Sequence, residues 1–174
     1  IEDGARSAVG LDIEHYETPQ ASTGLQMNYY DGKRMPFADA SFDVVWSNVC
    51  LEHARFPEMT ISEIARLLRP GGVMLSSIDL RDHYHSEPTL QAEHLRYGKW
   101  LWRAMTWNRS AYTNRLRISD WRKILQSSGF SIRLEETEFS VALRQVYATH
   151  LARHRYAESD FCTVGVFVVA DLRK

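Results

Sequence analysis

The 174-residue sequence has no long hydrophobic run. Nothing in it approaches the roughly 20 apolar residues that a membrane-spanning helix needs, and no charged-then-apolar leader opens it. It has no excess of either charge. Lys+Arg 21 stand against Asp+Glu 22, for a net charge of −1, so the basic surplus of a nucleic-acid or anionic-membrane binder is missing. Cysteine is scarce. Cys50 and Cys162 lie far apart and form no CxxC pair, which fits free thiols in a reducing, cytoplasmic setting, with one disulfide as the alternative. Repeats and low-complexity tracts are absent. What is left is 44% hydrophobic and 25% charged, enough apolar material to bury a core.

The first eighty residues alternate between two periodicities. Ser7 to Asp12 is a short apolar run ending in an acid, read as a buried strand, and Leu25 to Tyr30 is a weaker strand. Phe42 to Ser47 is β-branched and aromatic, the pattern of a central strand. Pro57 opens a helix, in which Ile61, Ile64, Ala65 and Leu68 share one face. Pro70-Gly71-Gly72 stops it, and Val73 to Ile78 is the next strand. This order predicts an α/β domain with a mostly parallel sheet flanked by helices.

The second half reads differently. Tyr97, Trp100, Leu101, Ala104 and Met105 mark one face of a helix, with Trp102 off that face. Ser119 reads as the N-cap of a helix that buries Trp121, Ile124 and Leu125 and stops at Gly129. Ser131 to Phe139 and Thr163 to Leu172 read as strands. His150 and His154, spaced i, i+4, lack a third ligand and read as a helix interface.

One run is specific. Met35-Pro-Phe-Ala-Asp-Ala-Ser-Phe-Asp-Val-Val-Trp-Ser-Asn-Val-Cys-Leu-Glu-His53 is followed by Glu63-Ile-Ala-Arg-Leu-Leu-Arg-Pro-Gly-Gly72. In order and spacing it resembles the class I S-adenosylmethionine-dependent methyltransferases. Val9 to Ile13 is similar to that family's second strand, and Arg117 to Phe130 loosely to its late helix. The resemblance implies a Rossmann-like sheet with an antiparallel last strand, S-adenosyl-L-methionine as cofactor, and S-adenosyl-L-homocysteine as product. Residues 7–80 would then form the cofactor side, 84–117 a helical lid or insertion, and 118–174 the C-terminal helix and strands of one domain. The Gly-rich loop that opens such domains is not seen before Asp12. The chain, which starts at Ile1, therefore reads as a piece of a longer one. A naturally truncated module, or a sheet completed by another segment or copy, are the alternatives.

The resemblance also assigns roles. Asp12 would accept the ribose hydroxyls, with Ile13 beside it; on the residues alone, Asp12 equally caps a turn. Asp31 would accept from the adenine amino group and Gly32 would let the backbone approach, while Asp-Gly is also a turn dipeptide. Ser47 and Asn48 would face the methionine end, or simply cap the strand. His53 and His83 are candidate general bases. Asp82, Trp102, Asn114 and Arg115 are candidate acceptor-binding residues, and Arg117 joins them as an anion fork. A solvated loop, a helix core and a scaffold role for "EH" are the competing readings. No metal site is expected. The implied activity is methyl transfer, to oxygen, on a small molecule or glycan. A non-catalytic module that binds a partner protein is the alternative.

Overall fold

The computed structural model describes residues 5–12, 26–108 and 112–173. Six strands and five α-helices run in the order β1 (Val9–Asp12), β2 (Gln26–Tyr29), β3 (Phe42–Asn48), α1 (Pro57–Leu67), β4 (Leu68–Asp79), α2 (Lys99–Met105), α3 (Ile118–Ser127), β5 (Phe130–Phe139), α4 (Val141–Tyr147), α5 (Glu158–Cys162) and β6 (Thr163–Leu172). Short 3-10 turns cover Leu51–His53, Pro88–Leu90, Glu93–Arg96 and Leu151–His154.

Two sheets result. β1 and β2 form a parallel pair with Asp12 opposite Tyr29. The other four strands are ordered β3-β4-β6-β5. β3 and β4 are parallel, and β6 runs antiparallel to both β4 and β5. No strand hydrogen bonds join the two sheets among the described residues.

α1 and α3 cover one face of the larger sheet. Ile61, Ile64 and Leu67 of α1 and Trp121, Ile124 and Leu125 of α3 bury there with Met74, Ile78, Phe130, Val166, Val168 and Ala170. The other face is more open: Val44 and Trp46 of β3 are exposed, Trp46 to 74%. β3, a central strand on its sequence, is thus an edge among the described residues. Its apolar residues fit a buried strand, but only β4 pairs with it.

Three expectations are corrected. β4 begins at Leu68 rather than Val73, because Leu68 pairs with Phe42 before the register shifts. Gly72 makes that possible: a Cβ there would lie 2.9 Å from the Arg69 carbonyl oxygen and 3.1 Å from that of Asp43. The cap of α3 is Arg117, whose N–H donates to the Asp120 carboxylate at 3.1 Å, while the Ser119 hydroxyl turns instead to Asp160 at 2.5 Å. In α2 the expected face is reversed. Trp100 is 82% exposed and Leu101 and Met105 are exposed, whereas Trp102 is buried. α2 is short and packs through one large indole, so neighbours three and four apart have nothing to meet.

The "S-F-D…E-x-x-R" signature is architectural. Arg66 donates to Glu63, to the Met35 and Phe37 carbonyls and to Asp39 at 2.6 to 3.1 Å, and the Met35 N–H donates to Glu63 at 3.0 Å. Glu63 lies below the usual carboxylate range, Arg66 being the chief cause. The clamp fixes the 35–39 loop on α1, burying Met35 and setting Phe37 edge-on to Phe42 with 5.1 Å between ring centroids. Both therefore fill core.

Candidate active site

Parallel strands bring their carboxyl ends to one edge, so Asp12 and the Asp31-Gly32 turn converge. The Tyr30 N–H donates to the Asp12 carbonyl at 2.9 Å, locking the two strand ends together. Asp31 Oδ1 accepts from the N–H groups of Lys33 and Arg34 at 2.9 and 3.2 Å. These backbone donors hold its carboxyl below the usual range, those of Lys33 and Arg34 foremost. Gly32 has φ +79, with nothing within 4 Å of where a Cβ would stand. Turn geometry and an open approach thus coexist at Asp31-Gly32. Ile13 lies outside the described residues.

At the end of β3, Asn48 is exposed, and the Ser47 hydroxyl is buried without a hydrogen-bond partner. The chain then takes positive φ at Val49 and enters the 51–53 turn. Glu52 is buried with neither carboxylate oxygen hydrogen-bonded, and burial pushes its carboxyl up. His53 Nδ1 lies 2.7 Å from the Tyr112 carbonyl oxygen. A carbonyl only accepts, so Nδ1 carries a proton there, and in the neutral ring the lone pair is on Nε2.

His53 and His83 meet edge to face, 5.1 Å between ring centroids. Asp79, at the end of β4, sits 3.7 Å from His83 Nε2 and forks onto Arg81 at 2.7 to 3.1 Å. Burial works against its charge, but His83 and Arg81 prevail and hold the carboxyl well below its usual range. In return the carboxylate raises His83.

Asp82 is buried, and its carboxylate is used within the chain. It accepts from the N–H groups of Tyr84 and His94 at 2.8 Å each, and meets His85 Nδ1 at 3.0 Å. These partners hold it well below the ordinary carboxylate range against the cost of burial. His94, fully buried, is driven down to about 4 chiefly by desolvation and is neutral at pH 7. A cavity of about 270 Å³ opens beside this pair, lined by Asp82, Tyr84, His85, Tyr97, Trp102, Met105 and Thr106. Of the sequence-based candidates, Asp82 and Trp102 come together here.

Asn114 and Arg115 point elsewhere. Asn114 donates to the Leu51 and Ala54 carbonyls at 2.8 and 3.3 Å, tying down the turn that carries Glu52 and His53. Arg115, at φ +61, donates to the His94 and Tyr97 carbonyls at 3.0 and 2.8 Å and lies over the Trp102 ring, 5.0 Å from its centroid. Arg117 is fully buried and donates to the carbonyls of Leu80, Asp160, Phe161 and Thr163. Burial lowers it to about 10, and no side of its guanidinium is left for an anion. The signal for these three was the charge and amide content of "YTNRLR", which does not reveal that their acceptors are distant carbonyls. His85 has the sequence signal of a strand-end cluster of acids and imidazoles, Asp79 to His85, which does not show which imidazole lines a cavity.

His150 is buried against Phe161, 4.9 Å between ring centroids, and its Nδ1 accepts from the Ala152 N–H at 3.0 Å. It lies in extended backbone between α4 and the 151–154 turn, and His154 is exposed, so the two do not share the helix face that their spacing suggested. No group of three or more His, Cys, Asp or Glu residues able to hold a metal ion occurs among the described residues. No helix among them is long and apolar enough to cross a membrane.

The parallel pairs β1–β2 and β3–β4, helices α1 and α3 on one face and an antiparallel β6 give a Rossmann-like class I methyltransferase fold. Residues 2–76 match the model of the family described as "Methyltransferase domain". A solved S-adenosylmethionine-dependent methyltransferase from Mesorhizobium loti has the same fold, with a TM-score of 0.64 at 19% identity over 98% of this chain and 82% of that one. Malonyl-acyl-carrier-protein O-methyltransferase 1 of Coxiella burnetii is 34% identical over 79 residues, 44% of this chain and 27% of the relative. Dimethylglycine N-methyltransferase of Parasynechococcus marenigrum is 37% identical over 68 residues, 38% and 24% respectively. The chain spans about a quarter of the length of these curated relatives.

Proposed function

We propose that this chain is part of an S-adenosylmethionine-dependent methyltransferase that transfers a methyl group to a hydroxyl of a small-molecule or glycan acceptor. The observation that carries the reading is convergence. Asp12, the open Asp31-Gly32 turn and Ser47-Asn48 stand at the carboxyl ends of parallel strands, where cofactors bind in such sheets, and the segments that follow β3 and β4 bring an imidazole pair together.

The residues fit the cofactor chemically. Asp12 would take the ribose hydroxyls as a double acceptor, and the empty space over Gly32 admits a flat ring against the backbone. The unpaired Ser47 hydroxyl and Asn48 offer oxygen dipoles toward a sulfonium. When bound, the cofactor supplies an electrophilic methyl group. The chain's task is then to orient the acceptor in line and to take its proton. His53, with Nδ1 bonded to the Tyr112 carbonyl, would take the proton at Nε2 as the neutral ring. His83, whose proton affinity Asp79 raises, would steady the anion that develops.

Calorimetry with S-adenosylhomocysteine tests this. Binding is expected, and Asp12→Ala is expected to weaken it at least about tenfold, the equivalent of 1.4 kcal/mol. A folded sample that gives no heat overturns the enzyme reading. It would favour the alternative, a non-catalytic module that binds a partner protein, to which the exposed Val44 and Trp46 on an unpaired edge lend support.

A further inference from the structure

We infer that the cavity beside Asp82 receives a single neutral aromatic ring, and that His85 selects a hydroxyl on that ring. This inference rests on the transferase reading and narrows its acceptor class from any hydroxyl compound to a phenol-like one.

The walls make the first half of the case. Tyr97 and Trp102 are close to parallel, 15° apart with 6.3 Å between centroids, and Tyr84 meets Trp102 edge-on at 6.0 Å. Trp102 is fixed rather than adaptable, since its indole N–H donates to the Thr113 carbonyl at 3.1 Å. Met105 adds a polarizable wall that fits flat guests. The volume of about 270 Å³ suits one substituted ring, given that an apolar cavity of roughly 150 Å³ takes benzene.

The polar groups make the second half. Asp82 is occupied by Tyr84, His94 and His85, and the Thr106 hydroxyl donates to the Trp102 carbonyl at 2.8 Å. His85 is different. With Nδ1 donating to the Asp82 carboxylate, the neutral ring has Nε2 as its acceptor, and the side chain is 37% exposed in the cavity lining. Asp82 therefore positions the imidazole and His85 reads the guest. A sugar brings several hydroxyls, and each one buried without a partner costs free energy; Asp82 and Thr106 are already bonded within the chain, which leaves the His85 imidazole and the tyrosine hydroxyls of an otherwise aromatic wall. A cation is disfavoured too, because the Arg115 guanidinium already lies over the Trp102 ring.

Three probes distinguish the guests: phenol, anisole (the same ring with no O–H) and methyl β-glucoside. NMR titration would follow the Trp102 indole N–H and the His85 imidazole. Phenol is expected to shift both, and to bind about tenfold tighter than anisole or the glucoside. His85→Ala should equalise phenol and anisole while both still shift Trp102. Glucoside binding ahead of phenol overturns the inference. So does phenol binding that leaves Trp102 unmoved, or a phenol preference that survives His85→Ala. S-adenosylhomocysteine calorimetry on the same samples keeps the two claims apart. Heat of binding without phenol shifts sinks the ring pocket alone, whereas phenol shifts without heat uphold the pocket and sink the transferase reading alone.

Discussion

His83 Nε2 lies 3.7 Å from the Asp79 carboxylate, and each residue shifts the other's proton affinity. His83 is raised, so its contribution to stability is complete below the ordinary histidine range and fades as pH rises through its folded value. Asp79 is lowered, so its contribution is complete above the ordinary carboxylate range and fades as pH falls toward its folded value. Asp79→Asn should return His83 toward an ordinary imidazole. An NMR titration of the His83 ring protons is expected to show its midpoint move to lower pH, and an unmoved midpoint would refute the pairing.

Glu52 behaves in the opposite way to Asp79. It is a carboxyl raised by burial, with no hydrogen bond to either oxygen. Its folded form favours the proton, so it weakens the fold progressively as pH rises above the ordinary glutamate range. Glu52→Gln keeps shape and removes the charge. Urea unfolding at pH 7.5 should show a gain in stability that shrinks toward pH 4; a loss at pH 7.5 would show that the carboxylate has a partner.

Arg117 binds four carbonyls to which no other side chain among the described residues donates. Arg117→Met fills the volume but strands those oxygens. The expected cost is on the order of 3 kcal/mol in urea unfolding, with Arg117→Lys recovering only part because an ammonium cannot fork. A cost under about 0.5 kcal/mol would remove the guanidinium from the core of this account.

Trp46 is the contrasting case. At 74% exposure its indole touches little, so Trp46→Ser should alter stability by no more than about 0.5 kcal/mol. It should also lower self-association in sedimentation, since an apolar edge strand invites pairing. A large loss of stability would show that the residue is covered.

Legibility followed the range of the forces involved. α1 and α3 are legible because burial on one face imprints a period on neighbouring residues, and β6 because a mostly buried strand reads as a continuous apolar run. The strand-end acids were readable because parallel order alone brings them to one edge. The α2 face was misjudged because one indole, Trp102, does the packing that a stripe usually does. Asn114, Arg115 and Arg117 looked like ligand-binding groups because their acceptors, backbone carbonyls of residues such as Leu51, His94 and Thr163, have no sequence signature. His85 gained its role only once Asp82 was found buried beside a cavity.

The seam between the two sheets has one more consequence. Among the described residues β1 and β2 join the larger sheet through side chains such as Leu11 and Tyr30 packed on its core, without a shared ladder. A two-stranded pair is marginal by itself. A molecule gripped by Asp12 on one side and Asn48 on the other would act as a cross-brace over that seam. Its affinity would then measure the docking of β1–β2 as much as the contacts it makes.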